Sequence, residues 1–127
     1  MIATWAPIER RPLMQLAFEA VAEAAPQVPR PAKGDLQQPE ECVREMSEAG
    51  FRNVEAHVIT GSMRFESPEH YAQVLVRSGA PFAVMKQKLA EDQWAAMMAR
   101  FLEAVKKRMP AEGAELSAEA ILTTGQR

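Results

Sequence analysis

The sequence predicts an α/β fold, in which helices pack against a small sheet. Residues 47–59, SEAGFRNVEAHVI, have the pattern of a helix that ends at Gly50 and passes into a strand of alternating apolar and polar residues. The run MIATWA at residues 1–6 is typical of a short buried strand, and residues 115–127 contain the β-rich stretch ILTT. The other segments have helical periodicity, so we expect the order strand, helix, helix, strand, further helices and strand.

Length and composition are those of an ordinary globular protein. The chain has 127 residues, of which 47% are hydrophobic and 25% are charged. We therefore expect residues 1–127 to form a single domain. The net charge is −2, and the lysines and arginines do not gather into a stripe. This argues against nucleic acid as a partner, because such binding needs several positioned phosphate contacts.

Compartment signals favour the cytoplasm. The N-terminal residues show no signal-peptide pattern, and no stretch reaches the roughly 20 apolar residues of a membrane span. Cys42 is the single cysteine, so the sequence has no internal disulfide framework, and a reducing compartment is the default. We expect a cytoplasmic protein with no membrane partner.

Two helices are predicted on either side of a proline-rich connection. From Pro12 to about Ala25, apolar residues recur at spacings of three and four, as in an amphipathic helix. Residues 26–39 carry several prolines and one glycine, which predict an extended linker or a lid. A second helix is expected from Pro39 to Gly50, where glycine supplies the left-handed conformation that ends a helix.

A helical region is predicted between the last two strands, over residues 67–110. Ser67 followed by Pro68 favours a helix start, with serine as the cap and proline at the first helical position. From Glu91 to Met109 the apolar residues form one broad face, which is the clearest helical pattern in the sequence.

Three segments resemble the C-terminal half of class I S-adenosylmethionine-dependent methyltransferases, in particular the ubiquinone-biosynthesis-like, small-molecule type. MIATWAP at residues 1–7 is similar to the family's fifth strand and the loop after it. PEECVREMSEAGFRNVEAHVI at residues 39–59 is similar to its last Rossmann helix and sixth strand, and LSAEAILTTGQR at residues 116–127 to its seventh strand. The helices at residues 67–110 occupy the place of the insertion with which family members cover the substrate.

The resemblance implies an α/β fold with a partial Rossmann-like methyltransferase sheet of mixed strand direction. In that family the seventh strand inserts antiparallel between the fifth and the sixth, helices flank the sheet, and the helical insertion separates the last two strands. S-adenosylmethionine is the cofactor of the full-length family. Its glycine-rich turn and acidic residue have no counterpart in this sequence, so we expect no cofactor and no activity in the isolated chain.

Four aromatic residues are the candidates for a substrate pocket. Trp5 ends the first strand, and ligands of open α/β sheets lie outside the carboxyl ends of the strands. Phe65, Tyr71 and Phe82 flank the helical insertion, where the resemblance places a small-molecule methyl acceptor. Packing in the hydrophobic core is the alternative for all four.

Other residue patterns give no catalytic residue and no metal ligand. His57 and His70 lack neighbouring ligands at metal spacing, and solvated or edge-strand histidines are the simpler interpretation. Cys42 lies near a predicted helix start, where a thiol pKa falls, but a half-buried structural cysteine is favoured. Glu40 and Glu41 point apart on a helix, so they favour its dipole rather than forming an acid pair.

Two classes of function remain open from the sequence. The chain is either the acceptor-side portion of a methyltransferase, which needs a cofactor-binding half from elsewhere, or a non-catalytic dimeric module that binds a partner or a small ligand. In the resembled fold, strand four pairs with the strand that matches MIATWA, and no such strand is found here. We therefore expect this N-terminal strand to pair with a second copy in a homodimer or with the missing half.

Overall fold

The computed structural model describes residues 1–29 and 34–127 as a mixed α/β protein, which confirms the predicted class. In chain order its elements are β1 (Ile2–Trp5), a 3-10 turn (Ile8–Arg10), α1 (Pro12–Ala24), α2 (Pro39–Glu48), β2 (Arg52–Phe65), α3 (Pro68–Ser78), α4 (Ala80–Lys88), α5 (Glu91–Lys106) and β3 (Ala114–Gln126). The linker or lid predicted at residues 26–39 includes residues 30–33, which lie outside the described residues.

The three strands form one antiparallel sheet in the order β1-β3-β2. β1 pairs antiparallel with β3, with Ile2 opposite Thr123. The side chain of Asn53, at the start of β2, donates to the side chain of Gln126 at the end of β3, so β2 and β3 also run in opposite directions. The last strand lies antiparallel between the other two, as expected, but the expectation of a mixed sheet is wrong, because both neighbouring pairs are antiparallel.

Local sequence signals set two helix ends as predicted. After α2, Gly50 has a φ of +94°, and the Phe51 N–H donates to the Met46 carbonyl at 3.1 Å, a pattern that ends a helix. At the start of α3, the Ser67 hydroxyl accepts a hydrogen bond from the His70 N–H at 3.0 Å. The chain therefore leaves α2 for the sheet, and enters α3, at the residues indicated by the sequence.

β2 and β3 are longer than the sequence indicated. β2 has 14 residues and continues as far as Phe65, while β3 has 13 residues and begins at Ala114. Just before β3, Gly113 has a φ of +84°. A Cβ there would clash with the Phe65 carbonyl oxygen and lie 2.6 Å from the carbonyl carbon of Glu66, so only glycine fits this close approach.

The described residues group into two compact units. The first comprises residues 1–14, 34–62 and 117–127, and it holds β1, α2 and most of β2 and β3. Its buried residues are Ala6, Cys42, Met46, Ile121 and Thr123. α2 packs closely on the sheet, since a Cβ at Gly125 would lie 3.2 Å from Met46 Cε.

The second unit comprises residues 15–29 and 63–116, and it is built mainly from helices. Its buried hydrophobic residues are Leu16, Ala17, Ala20, Ala24, Ala25, Phe65, Tyr71, Leu75, Phe82, Met97, Phe101, Ala104, Val105 and Met109, and Pro68 and Gly113 are buried as well. α3, α4 and α5 pack against one another here. A single domain over the whole chain stays a prediction. Within residues 1–29 and 34–127, we find no helix whose length and hydropathy would allow it to cross a bilayer.

Candidate functional site

Trp5 lies at the carboxyl end of β1, and it is the exposed member of the four aromatic candidates. The residue is 57% exposed. After Pro7 the chain turns back through the 3-10 turn, and the guanidinium carbon of Arg11 lies 5.7 Å from the centre of the indole ring, a cation–π distance. Burial lowers the pKa of the Arg11 guanidinium, and the nearby Glu9 carboxylate acts in the opposite direction.

Contacts with β3 hold the segment around Trp5 in place. The Ala6 N–H donates to the Glu119 carbonyl oxygen at 3.1 Å, and Arg10 Nε lies 2.8 Å from Glu119 Oε2. The Glu119 side chain is only 19% exposed, so this ion pair is better shielded from solvent than an ordinary surface pair. The result is an anchored indole face beside a guanidinium, a surface suited to a flat aromatic or anionic small molecule.

The other three aromatic candidates are buried within the second unit. Phe65 and Tyr71 meet edge to face, with ring centroids 4.9 Å apart, and Phe82 packs against Phe101 with centroids 5.2 Å apart. The structure thus brings Phe65 and Tyr71 together and places Trp5 in the other unit. The placement of these three is that of core residues, and their part in an acceptor pocket stays a prediction.

Tyr71 is a neutral side chain at physiological pH. Burial raises the pKa of the Tyr71 phenol above its usual range, and a hydrogen bond with the Ala17 backbone acts in the opposite direction. Because the phenol keeps its proton, the side chain contributes packing to the second unit rather than a base.

His57, His70 and Cys42 lie in different elements of the structure. His57 is exposed on β2, with Nε2 3.6 Å from Glu55 Oε2. His70 accepts a hydrogen bond at Nδ1 from the Glu66 N–H, 3.1 Å away, at the start of α3. Cys42 is fully buried, and its thiol donates to a backbone carbonyl at 3.3 Å. In the described part of the chain, no three His, Cys, Asp or Glu side chains gather as metal ligands.

An ion cluster joins α1 to the end of α5, and sequence reasoning missed it. Glu23 accepts hydrogen bonds from Lys107 and from Arg108, the latter at 2.6 Å, and Arg108 also lies 3.6 Å from Glu19. These hydrogen bonds lower the pKa of the Glu23 carboxyl. The i, i+4 spacing of the two glutamates was the available signal, but their partners lie more than 80 residues away.

The ion cluster borders an open groove of about 310 Å³ in the second unit. The groove is lined by Glu23, Ala99, Arg100, Glu103 and Lys107. Its charges are engaged inside the unit: Arg100 Nε donates to the Ala24 carbonyl at 3.0 Å, and Glu103 accepts from Lys106. We therefore assign this cluster to the packing of α1 against α5.

The sheet has two outer edges with which no segment of residues 1–29 or 34–127 pairs. One edge is β1, which offers four residues of alternating exposure. The other is β2, in which residues 57–64 are all exposed. Val58 and Ile59 are 44% and 50% exposed, respectively, which is unusual for two adjacent β-branched residues in a strand.

The described residues do not fit S-adenosylmethionine. In the resembled family the backbone of a glycine-rich turn approaches the cofactor. Here β1 is followed by Pro7 and the 3-10 turn, and the first glycine is Gly34. Of the described glycines, Gly50 and Gly113 have positive φ, and they end a helix and close a turn. No side chain of this chain is therefore assigned to the cofactor.

No protein-family model matches the sequence, and no curated protein matches it.

Proposed function

We propose that this chain is the C-terminal, acceptor-side portion of an S-adenosylmethionine-dependent methyltransferase, inactive by itself. The observation that carries the proposal is the strand order. β3 follows β1 and β2 in the chain but lies between them, antiparallel to both neighbours, which is the order implied by the resemblance for strands five, seven and six. Sequential strands usually lie next to one another, so an insertion of this kind is a specific topological feature.

The helices between β2 and β3 support the same assignment. In chain order, α3, α4 and α5 occupy the position of the family's substrate-covering insertion. α3 packs on both of the other helices. In this proposal Phe65, Tyr71 and Phe82 belong to the packed core of the second unit. Trp5 would meet the acceptor directly, because it lies at the carboxyl end of a strand and is exposed.

The role of this chain is to bind and orient a small-molecule acceptor. The indole and the Arg11 guanidinium favour a flat acceptor with an aromatic ring or a negative charge. No step of methyl transfer is assigned to these residues, since the cofactor turn is not among them. We place the protein in the cytoplasm, because its single cysteine, Cys42, is a buried thiol that needs no oxidising compartment.

The DNA upstream of the Met1 codon provides the decisive test. We expect an in-frame or frameshifted segment that encodes a strand followed by a glycine-rich turn. Its product, co-purified with this chain, should bind S-adenosylmethionine in a calorimetric titration, whereas this chain alone should not. Micromolar binding by the chain alone, displaced by S-adenosylhomocysteine, or an upstream region without such a segment, would refute the proposal.

The outer edge of β1 is the surface where the cofactor-binding half would pair. An Ala3→Pro substitution removes a backbone N–H from this strand and should abolish co-purification with the upstream product. Ala3→Val is the matched control, because it keeps the N–H and suits a strand. Equal recovery of the complex with both variants would show that the two halves do not meet at β1.

The open edges of the sheet favour a second candidate function, a non-catalytic module that acts by dimerising or by binding a small ligand. In this candidate β1 would pair with β1 of a second copy and form a two-fold symmetric homodimer. An upstream region without a glycine-rich segment, together with a ligand-independent dimer that Ala3→Pro disrupts, would favour it over the methyltransferase portion.

A further inference from the structure

We propose that two copies of this chain associate through the outer edge of β2, as antiparallel strands centred on Val58. The contact runs from Glu55 to Gly61 in each copy, and all of these residues belong to the first unit. The proposal does not rest on the methyltransferase assignment, because it uses the edge of the sheet opposite to β1.

The middle of β2 is exposed on both faces. A strand with one face on a core alternates between buried and exposed residues, but residues 57–62 are all exposed. Neither face of residues 57–61 is therefore buried. An outer edge with strand backbone and two adjacent exposed apolar side chains, Val58 and Ile59, is a template for another strand.

The usual protection of an edge strand is missing from this section. Exposed edges are normally blocked by lysine, proline, a bulge or a charge. Between Ala56 and Gly61 the strand has no proline, no lysine, no arginine and no carboxylate. The irregular residue of β2 lies earlier, at Asn53, whose φ is +49°. The uncharged section is thus the part of the edge that remains regular and open.

The segment from Glu55 to Gly61 is complementary to a second copy of itself. When Val58 lies on the two-fold axis, it faces its own copy, His57 faces Ile59 of the second copy, and Glu55 faces Gly61. No two ionisable side chains lie directly opposite each other, so the pairing avoids like-charge contacts. The same segment serves both copies, as a two-fold interface requires.

Neighbouring registers are less favourable. An axis at His57 would place two histidines directly opposite each other. An axis at Ala56 would shift a ladder of the same length to residues 53–59 and draw in Asn53, which has a φ of +49° and donates to Gln126 at 3.0 Å. These observations favour Val58 over His57 and Ala56 as the centre.

Charge substitutions at Val58 test the interface by sedimentation at tens of micromolar protein. The wild type should be a dimer, and Val58→Lys and Val58→Glu should each raise the dissociation constant by at least about tenfold, because each puts two like charges opposite one another. An equimolar mixture of the two variants should restore dimers, since lysine then faces glutamate. Val84→Lys is the matched control: Val84 is 48% exposed on α4 in the second unit, and its replacement should leave the dimer unchanged.

Oxidative cross-linking tests the register without depending on the charge variants. Val58→Cys should form an intermolecular disulfide, because directly opposite residues of paired strands lie within disulfide range. Glu55→Cys should not, since its copy lies six residues away along the ladder. The buried Cys42 supplies an unreactive background. A wild type that stays monomeric, an unchanged dimer in Val58→Lys, or equal cross-linking at both positions would overturn the proposal, as would a dimer lost in Ala3→Pro but kept in Val58→Lys.

Discussion

Replacement of Gly113 by alanine should destabilise the protein more than the same replacement at Gly50. Both glycines have positive φ, +84° and +94° respectively, so alanine is strained at both positions. Their surroundings differ. A Cβ at Gly50 would have no heavy atom within 4 Å, whereas a Cβ at Gly113 would clash with the Phe65 carbonyl oxygen and lie 2.6 Å from the carbonyl carbon of Glu66.

The difference in stability follows from these two environments. The left-handed conformation costs alanine about 1–2 kcal/mol, and the lower entropy of the unfolded chain returns about 0.4–1 kcal/mol, which leaves about 1 kcal/mol for Gly50→Ala. Overpacking against backbone that must move adds about 1–3 kcal/mol at Gly113, for a total of about 3 kcal/mol. With the entropy of unfolding typical of a chain this long, the melting midpoint should fall by about 4 °C and about 12 °C, respectively.

Thermal unfolding followed by far-ultraviolet circular dichroism measures both effects at one protein concentration. Urea unfolding supplies the free energies independently, from the midpoints and slopes. Gly50→Ala is the control, because it carries the same backbone strain without the clash. Equal shifts in the two variants would show that β3 does not approach the end of β2 as closely as described.

Two further predictions concern α3. Tyr71 is the only tyrosine, so the absorbance of phenolate reports on it alone. Because burial raises its folded-state pKa, the stability contributed by the protonated phenol is complete below about pH 10, the unfolded value, and is lost as the pH rises through the folded pKa. Tyr71→Phe should flatten this alkaline loss in urea titrations, and an identical loss in the variant would exclude Tyr71 as its cause. Ser67→Ala should lower the free energy of unfolding by about 1 kcal/mol through loss of the cap, whereas Ser78→Ala, which removes only a bond to the Val74 carbonyl, should change it by less than about 0.5 kcal/mol. Equal urea midpoints for these two serine variants would contradict the capping role.

Helix boundaries were predictable from the sequence because their signals are local. Gly50 ends α2, and Ser67 caps α3, through hydrogen bonds between residues at most five positions apart. The broad apolar face of residues 91–109 likewise predicted α5, which ends somewhat earlier, at Lys106. In each case the conformation depends on residues within one or two helical turns, so the neighbouring sequence is sufficient to predict it.

The extent of β2 was not predictable in the same way. A strand is recognised by the alternation that a buried face imposes, and residues 57–64 have no buried face. Thr60, Gly61 and Ser62 therefore have the composition of a loop, although they continue the strand. Phe65 was expected beside the helical insertion, and it is in fact the last residue of β2.

The candidate site was predictable only where strand geometry decides it. The position of Trp5 at the carboxyl end of a strand followed from the sequence, and its exposure agrees with access to a ligand. Its contact with Arg11 depends on the path of the 3-10 turn, which no periodicity encodes. The hydrogen bond between Glu23 and Lys107 joins residues that are 84 positions apart in the chain. It depends on tertiary packing, so no local sequence pattern could identify Lys107 as the partner.

The position of β3 in the middle of the sheet has a consequence for how the chain acquires its structure during synthesis. β1 and β2 leave the ribosome first, and neither has a sheet neighbour until β3 has followed α5. The helices α3 to α5 form through contacts between residues that are close in sequence. Ile2, in contrast, pairs with Thr123 near the other end of the chain, so this contact can form only after Thr123 has been synthesised. Because contacts between distant residues form slowly, insertion of β3 should limit the folding rate and leave two strands in need of protection on the nascent chain.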